Sequence, residues 1–156
     1  MQYKSYLIED NINKINENII LFYGENIGLQ NEFKDKIKKE KNIDIISFNQ
    51  QEILGHTNVL FNEINNISLF VDRKYFIINM CNDKILEVLR QVKELDSQKI
   101  FLFADTLEKK SKLRNLFEKT KSYALVPCYP DNELTIKKIV TDKLKGFKNL
   151  TNLNIN

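Results

Sequence analysis

The sequence predicts an α/β domain, a five-stranded parallel sheet with helices on both faces. Two observations lead there. Short continuous apolar runs, which read as strands covered on both sides, alternate along the whole chain with stretches of helical periodicity. Each run is followed by enough chain for the crossover that parallel neighbours require, so strand and helix succeed one another five times. A length of 156 residues, with 42% hydrophobic and 29% charged, suits one domain with a sizeable core.

The first strand is Ile19 to Tyr23, bounded by Gly24. Leu29, Phe33 and Ile37 recur at helical spacing through Lys39. Ile43 to Phe48 reads as the second strand. Ile53, Leu54, Val59, Leu60, Phe61 and Ile64 form one amphipathic helix interrupted at Gly55. Ile67-Ser68-Leu69-Phe70 is a short, exposed-looking connection to a third strand, Lys74 to Asn79. A third helix carries Ile85, Leu86, Val88, Leu89, Val92 and Leu95, and Ile100 to Ala104 is the fourth strand. Asp105-Thr106-Leu107-Glu108 has the spacing of an N-cap acid and a glutamate three positions on, which predicts a helix from there through Lys119. Tyr123 to Val126 is the fifth strand, and Pro130-Asp131 introduces a helix from Asn132 to about Leu144. The asparagine-rich stretch from Gly146 to Asn156 loses amphipathic order.

Composition removes several function classes. No apolar run approaches the ~20 residues that span a bilayer, and the amino terminus lacks the pattern of a signal peptide, so a cytoplasmic protein with no membrane partner is expected. Cys81 and Cys128 are too few and too far apart for a metal knuckle or a disulfide framework and read as buried structural thiols. His56 is the single histidine, which excludes a paired-histidine metal site; a helix surface is its expected place. The net charge of +3 is mild, and lysines interleave with acids as on a solvated helix face.

The run Tyr23-Gly24-Glu25-Asn26-Ile27-Gly28-Leu29-Gln30 is shaped like a phosphate-binding turn without its chemistry. The P-loop motif needs a Lys for the β/γ-phosphates and a hydroxyl for magnesium directly after its second glycine. Leu29-Gln30 stands there instead, and Glu25 would repel phosphate. The third and fourth strands end in Asn79-Met80-Cys81 and Ala104-Asp105-Thr106, neither of which supplies an Asp-Glu pair for magnesium. Asp105 lies where α/β enzymes keep catalytic groups, yet helix capping accounts for it. No catalytic, cofactor or metal residue is assigned. Leu69-Phe70 is an apolar pair where a loop is ordinarily polar; composition alone would tuck both under the domain. The stretch Leu107 to Arg114 concentrates positive charge on one predicted helix, a solvated face or a contact for nucleic-acid phosphates.

Phe22-Tyr23-Gly24-Glu25, Ser68-Leu69-Phe70 ahead of Asp72-Arg73-Lys74, Phe103-Ala104-Asp105 to Lys112-Leu113, and Val126-Pro127-Cys128 stand in one order and spacing across most of the chain. Together they resemble the N-terminal part of the delta subunit of the bacterial DNA polymerase III clamp loader. The resemblance implies an AAA+-like, P-loop NTPase-type domain over residues 1–144 with a degenerate nucleotide site, no cofactor and no ATP hydrolysis of its own. It implies that residues 145–156 begin a truncated lid domain or form a disordered tail. It makes Ser68, Leu69 and Phe70 the binding segment for the beta sliding clamp, with Leu69 and Phe70 as anchors. Other implied partners are the gamma/tau and delta prime loader subunits, held mainly through a missing C-terminal domain, and DNA indirectly. Two alternatives stay open: a divergent P-loop-like nucleotide-binding protein using Gly24 to Asn31 and Asp105, and a nucleic-acid-binding module using Lys109 to Arg114.

Overall fold

Ile19-Ile20-Leu21-Phe22-Tyr23 is apolar at every position because both of its faces are covered; all five residues are buried. A computed structural model describes residues 1–8, 11–66, 73–92, 95, 98–133, 136–137, 140–141 and 144. This first strand, β1 (Ile19–Tyr23), lies inside a sheet with β2 (Ile43–Asn49), β3 (Arg73–Asn79), β4 (Gln98–Ala104) and β5 (Tyr123–Pro127). The order is β2-β3-β4-β1-β5, and every pairing is parallel, as the sequence predicts.

Alternation along the strands divides the core into two layers. Ile20 and Phe22 of β1 join Tyr75, Ile77, Phe101, Phe103, Ala124 and Val126 on one face. That face is covered by α2 (Ile27–Lys38) through Leu29, Phe33 and Ile37, and by α1 (Ser5–Ile8) with the 3-10 turn Ile12–Lys14. Phe22 stacks on its strand neighbour Phe103 with centroids 4.9 Å apart and rings 8° from parallel. Ile19, Leu21 and Tyr23 face the other layer. There α3 (Gln50–Gly55), α4 (Thr57–Asn65), α5 (Leu86–Gln91) and α6 (Lys112–Lys119) contribute Ile53, Leu60, Leu89, Leu113 and Phe117. The connection after β1 therefore packs on one face and the later ones on the other. This split puts the carboxyl end of β1 at the switch point, where open α/β sheets keep a crevice.

Several elements differ from the sequence expectation. The helix read across Ile53 to Ile64 is two helices, because His56 leaves helical space at φ −142°, ψ 71° directly after Gly55, a residue of weak helical preference. His56 itself is exposed at this joint, not within a helix face. The third helix is shorter: a 3-10 turn at Asp83–Ile85 runs into α5, which closes at Val92 with ψ 113°. The amino terminus, for which the sequence assigns no element, pairs with the edge of β5: Gln2 bridges Leu125 in parallel, Tyr3 N donates to Leu125 O at 2.9 Å, and Leu125 N donates to Met1 O at 2.8 Å. Beyond β5, Glu133, Ile136, Lys137, Val140 and Thr141 have helical backbone, in keeping with the predicted last helix. Residues 145–156, expected to open a lid or form a tail, lie outside the described residues. Among the described residues no helix is long and apolar enough to cross a membrane.

The expected cap at Asp105 is wrong. Residues 105–110 run as bend and turn, and α6 begins at Lys112 with Ser111 as N-cap, its Oγ accepting from Arg114 N at 3.2 Å. The acid at this helix start comes from Asp83, on the connection after β3. One of its carboxylate oxygens accepts from Leu113 N (2.9 Å) and from the Ser111 hydroxyl (2.7 Å), the other from Lys112 N (3.0 Å). The Asp-x-x-Glu spacing is a local pattern, and it loses to a carboxylate that only the fold brings near.

These bonds, that from Leu113 N foremost, hold the Asp83 carboxyl below its ordinary range. A depressed carboxyl stabilises the fold above its unfolded pKa of about 3.9, and the contribution is lost as pH falls through the folded value. Asp83→Asn should therefore cost about 1 kcal/mol in urea denaturation at pH 7. The gap to the unsubstituted chain should close as pH drops below about 4, where the unfolded carboxyl protonates; a gap that ignores pH would contradict the cap.

Candidate functional site

At the carboxyl end of β1 the chain turns so tightly that Gly24 is the residue the turn requires. Its φ is +136°, and a Cβ there would stand 2.2 Å from the Cys128 carbonyl oxygen. Gly24 N donates to Asp105 O at 3.3 Å and Asn26 N to Cys128 O at 3.1 Å, so the turn is tied to the ends of β4 and β5. Cys128 N returns a bond to Tyr23 O at 2.7 Å.

Five amides of the turn, those of Gly24, Asn26, Ile27, Leu29 and Gln30, are taken by the chain itself. Ile27 N donates to Glu25 O at 3.0 Å, Gln30 N to Asn26 O at 3.1 Å, and Leu29 N to the Asn26 side-chain oxygen at 2.9 Å. Asn26 is thus the N-cap of α2, and its Nδ2 reaches Asp131 at 2.9 Å and Tyr129 O at 3.2 Å. Gln30 occupies the position of the P-loop hydroxyl. It is buried, and its Nε2 donates to Gly24 O and Ala104 O, each at 3.0 Å, which ties the turn to the end of β4. The sequence carried a signal for it: a polar residue one step from the apolar stripe Leu29, Phe33, Ile37.

Neighbouring chemistry is equally occupied with structure. At the end of β3, Asn79 Nδ2 donates to Phe48 O at 3.3 Å, Met80 is exposed at φ 58°, and Cys81 is buried. Burial pushes the thiols of Cys81 and Cys128 up to about 12, so both are inert structural groups, as read from the sequence. Among the described residues no cluster of His, Cys, Asp and Glu could hold a metal ion. Asp105 is exposed, and the bond recorded for it is through its backbone carbonyl.

The basic stretch also differs from its expected form. Lys109 and Lys110 lie in the turn before α6, and Lys110 pairs with Glu108 at 2.9 Å in full solvent. Arg114 is held by the chain: Nε to Glu118 at 2.8 Å, Nη1 to Leu107 O at 3.1 Å, and the guanidinium 5.3 Å from the Tyr23 ring centroid. A single helix face of free cations does not form.

Ser68, Leu69 and Phe70 lie outside the described residues; the two ends of their segment do not. It leaves α4 after Asn66 and enters β3 at Arg73. Lys74, buried at 8% exposure, points its ammonium back at the end of α4. It donates to Glu63 O (3.0 Å), Asn66 O (3.2 Å) and the Glu63 carboxylate (3.2 Å), with Asp44 at 3.9 Å. Gln98 Nε2 on β4 adds a 3.4 Å bond to Ile64 O. The last carbonyls of a helix have no partner within it, and a cation there also meets the negative end of the helix dipole. Lys74 thus fastens the exit of α4 to the start of β3, so both roots of the 67–72 segment are held by one side chain. Sequence reading treated Lys74 as an ordinary strand residue; its position at the head of an otherwise apolar run was the available hint.

No protein-family model matches the chain, and no curated protein matches it. Among solved structures it is similar to Rif2 of Saccharomyces cerevisiae, with a TM-score of 0.53 and 14% identity, over 96% of this chain and 63% of that one. The chain thus spans less than two thirds of that protein, and the likeness is one of fold alone.

Two substitutions probe this region. Gly24→Ala should lose about 2 to 4 kcal/mol in chemical denaturation, since backbone strain and the clash with Cys128 O add. Lys74→Met should cost roughly 1 to 3 kcal/mol by removing the charge-assisted bonds to the Glu63 and Asn66 carbonyls. Faster amide exchange at the end of α4 than in β1 should accompany it, whereas uniform loosening would count against a local clasp.

Proposed function

We propose that this chain is the AAA+-like first domain of a clamp-loader delta-type subunit, which binds the beta sliding clamp and opens it without hydrolysing ATP. One observation carries the reading: five amides of the turn at Gly24, and the Gln30 side chain, are spent on bonds within the chain. A parallel sheet with such a turn at its switch point supports descent from a nucleotide-binding scaffold. The internal use of its donors supports a present role as frame rather than catalyst.

The working part is then the segment that the frame carries. Leu69 and Phe70 enter an apolar pocket on the clamp, with Ser68 beside them. Each buried side chain contributes ~1.5 to 3 kcal/mol, enough together to anchor an interface. Fixed roots at Asn66 and Arg73 support this role, because a segment held at both ends loses less freedom on binding. The occupied clamp subunit is held in a shape that does not close the ring, and the strain of the closed ring relaxes by opening one interface. Binding free energy performs the opening. ATP acts through the gamma/tau and delta prime neighbours, by changing how often this surface is exposed. Contact with DNA follows from the assembled loader, since Arg114 of the basic stretch is engaged internally.

Calorimetry with the cognate sliding clamp tests the reading. Leu69→Ala combined with Phe70→Ala should weaken binding by ~100-fold or more, the loss of two buried apolar groups, with circular dichroism and denaturation midpoint unchanged. Unchanged affinity removes the mechanism. Mg-ATP should leave the melting temperature where it was, whereas a ligand at a hundred times its Kd would add ~2.7 kcal/mol and favour a nucleotide-binding protein instead.

A further inference from the structure

The amino end of the sheet holds a second feature, opposite the Gly24 turn and unrelated to it. Arg73 and Tyr75 alternate along β3, and Tyr75 is the register partner of Lys99 on β4. Side chains two apart share a face, so Arg73 and Lys99 project together on the side of the sheet that carries α2. They line a concavity of about 410 Å³ with Tyr75 and the side chains of Asn13, Asn16 and Asn18.

Two cations on adjacent strands of one face repel, and such placements are ordinarily selected against. Burial lowers the Lys99 pKa most, Glu17 raises it, and Arg73, by a smaller effect than that of Glu17, lowers it. The described carboxylates nearby are already engaged. Glu17 accepts from the Tyr3 hydroxyl at 2.8 Å, and Glu40 from Asn13 Nδ2 at 3.0 Å. The Lys99 ammonium donates to the Ile15 carbonyl, which positions it but brings no negative charge. Arg73 is exposed at the mouth.

We propose that this concavity binds a phosphate group, with Arg73 as the forked donor and Lys99 as the fixed charge behind it. A guanidinium offers two parallel N–H groups to a phosphate. The volume lies in the range of small-molecule sites. Phosphate would turn a repulsive pair into a bridged one and join the turn carrying Asn13 and Asn16 to the starts of β3 and β4. The same chemistry is offered by a small phosphorylated molecule and by a nucleic-acid backbone.

The test uses the full chain at constant ionic strength, with inorganic pyrophosphate as probe and sodium chloride as control. Pyrophosphate should raise the melting temperature above the chloride control and bind in calorimetry. Arg73→Gln should weaken that binding ~10-fold or more, the usual loss for a charge-assisted pair. Without ligand, Arg73→Gln should keep the circular dichroism spectrum of the unsubstituted chain, so that the weakened binding reports the site and not the fold. Competition by a short oligothymidylate would assign a backbone phosphate, and pyrophosphate binding without such competition a small free anion; both uphold the site. No shift beyond chloride, or the same affinity in Arg73→Gln, overturns it.

Discussion

The close approach of Gly24 to the end of β5 is the constraint from which the rest of the carboxyl end follows. A side chain there cannot coexist with the Cys128 carbonyl, so the glycine sets how near β1 and β5 lie at their ends. Gln30 then closes the other side by bonding the Gly24 and Ala104 carbonyls together. Three parallel strands are thus fixed to one another at the point where their helices diverge to opposite faces. Loosening any one of these contacts would shift α2 against the stacked Phe22, Phe33 and Phe103, since packed interiors have no slack to absorb it.

A phosphate-binding turn works because its amides are left unsatisfied until the ligand arrives. Asn26 removes that property by capping α2 with its own oxygen, and Gln30 fills the position of the metal-binding hydroxyl with an amide that bonds backbone. The turn is thereby part of the scaffold that joins β1, β4 and α2.

What the sequence reveals and conceals divides along sequence separation. β1, β3, β4 and β5 are legible because their apolar runs leave a strand buried on both faces as the simplest outcome, β2 at the sheet edge because Ile43, Ile45, Ile46 and Phe48 still mark it, and the parallel arrangement follows from the helices between. The degenerate turn was legible because the identity of Leu29 and Gln30 alone removes the P-loop chemistry. Asp83 was not legible: it lies 29 and 30 residues from the amides it caps, and Asp105 offered a better local match to the same pattern. The pairing of Met1 to Tyr3 with β5 was hidden for a like reason, since a polar and aromatic tripeptide has no strand periodicity of its own. In the candidate segment, the residues that fasten its roots were missed because Lys74 and Gln98 act on carbonyls, which carry no sequence signature.

Lys74 carries the argument about that segment one step further. A buried ammonium is expensive, and a well-packed apolar residue of the same volume often serves stability equally well where the partner is another side chain. Here the partners are chiefly the Glu63 and Asn66 carbonyls at the exit of α4, with the Glu63 carboxylate beside them. Carbonyls cannot be substituted away, so an apolar replacement would leave them without this donor. The charge is therefore tied to a geometric task, joining a helix end to a strand start across the six residues that include Ser68, Leu69 and Phe70. A loop of that length closed by a flexible contact would sample many shapes; closed by three donors on one ammonium, its roots keep one separation and one direction.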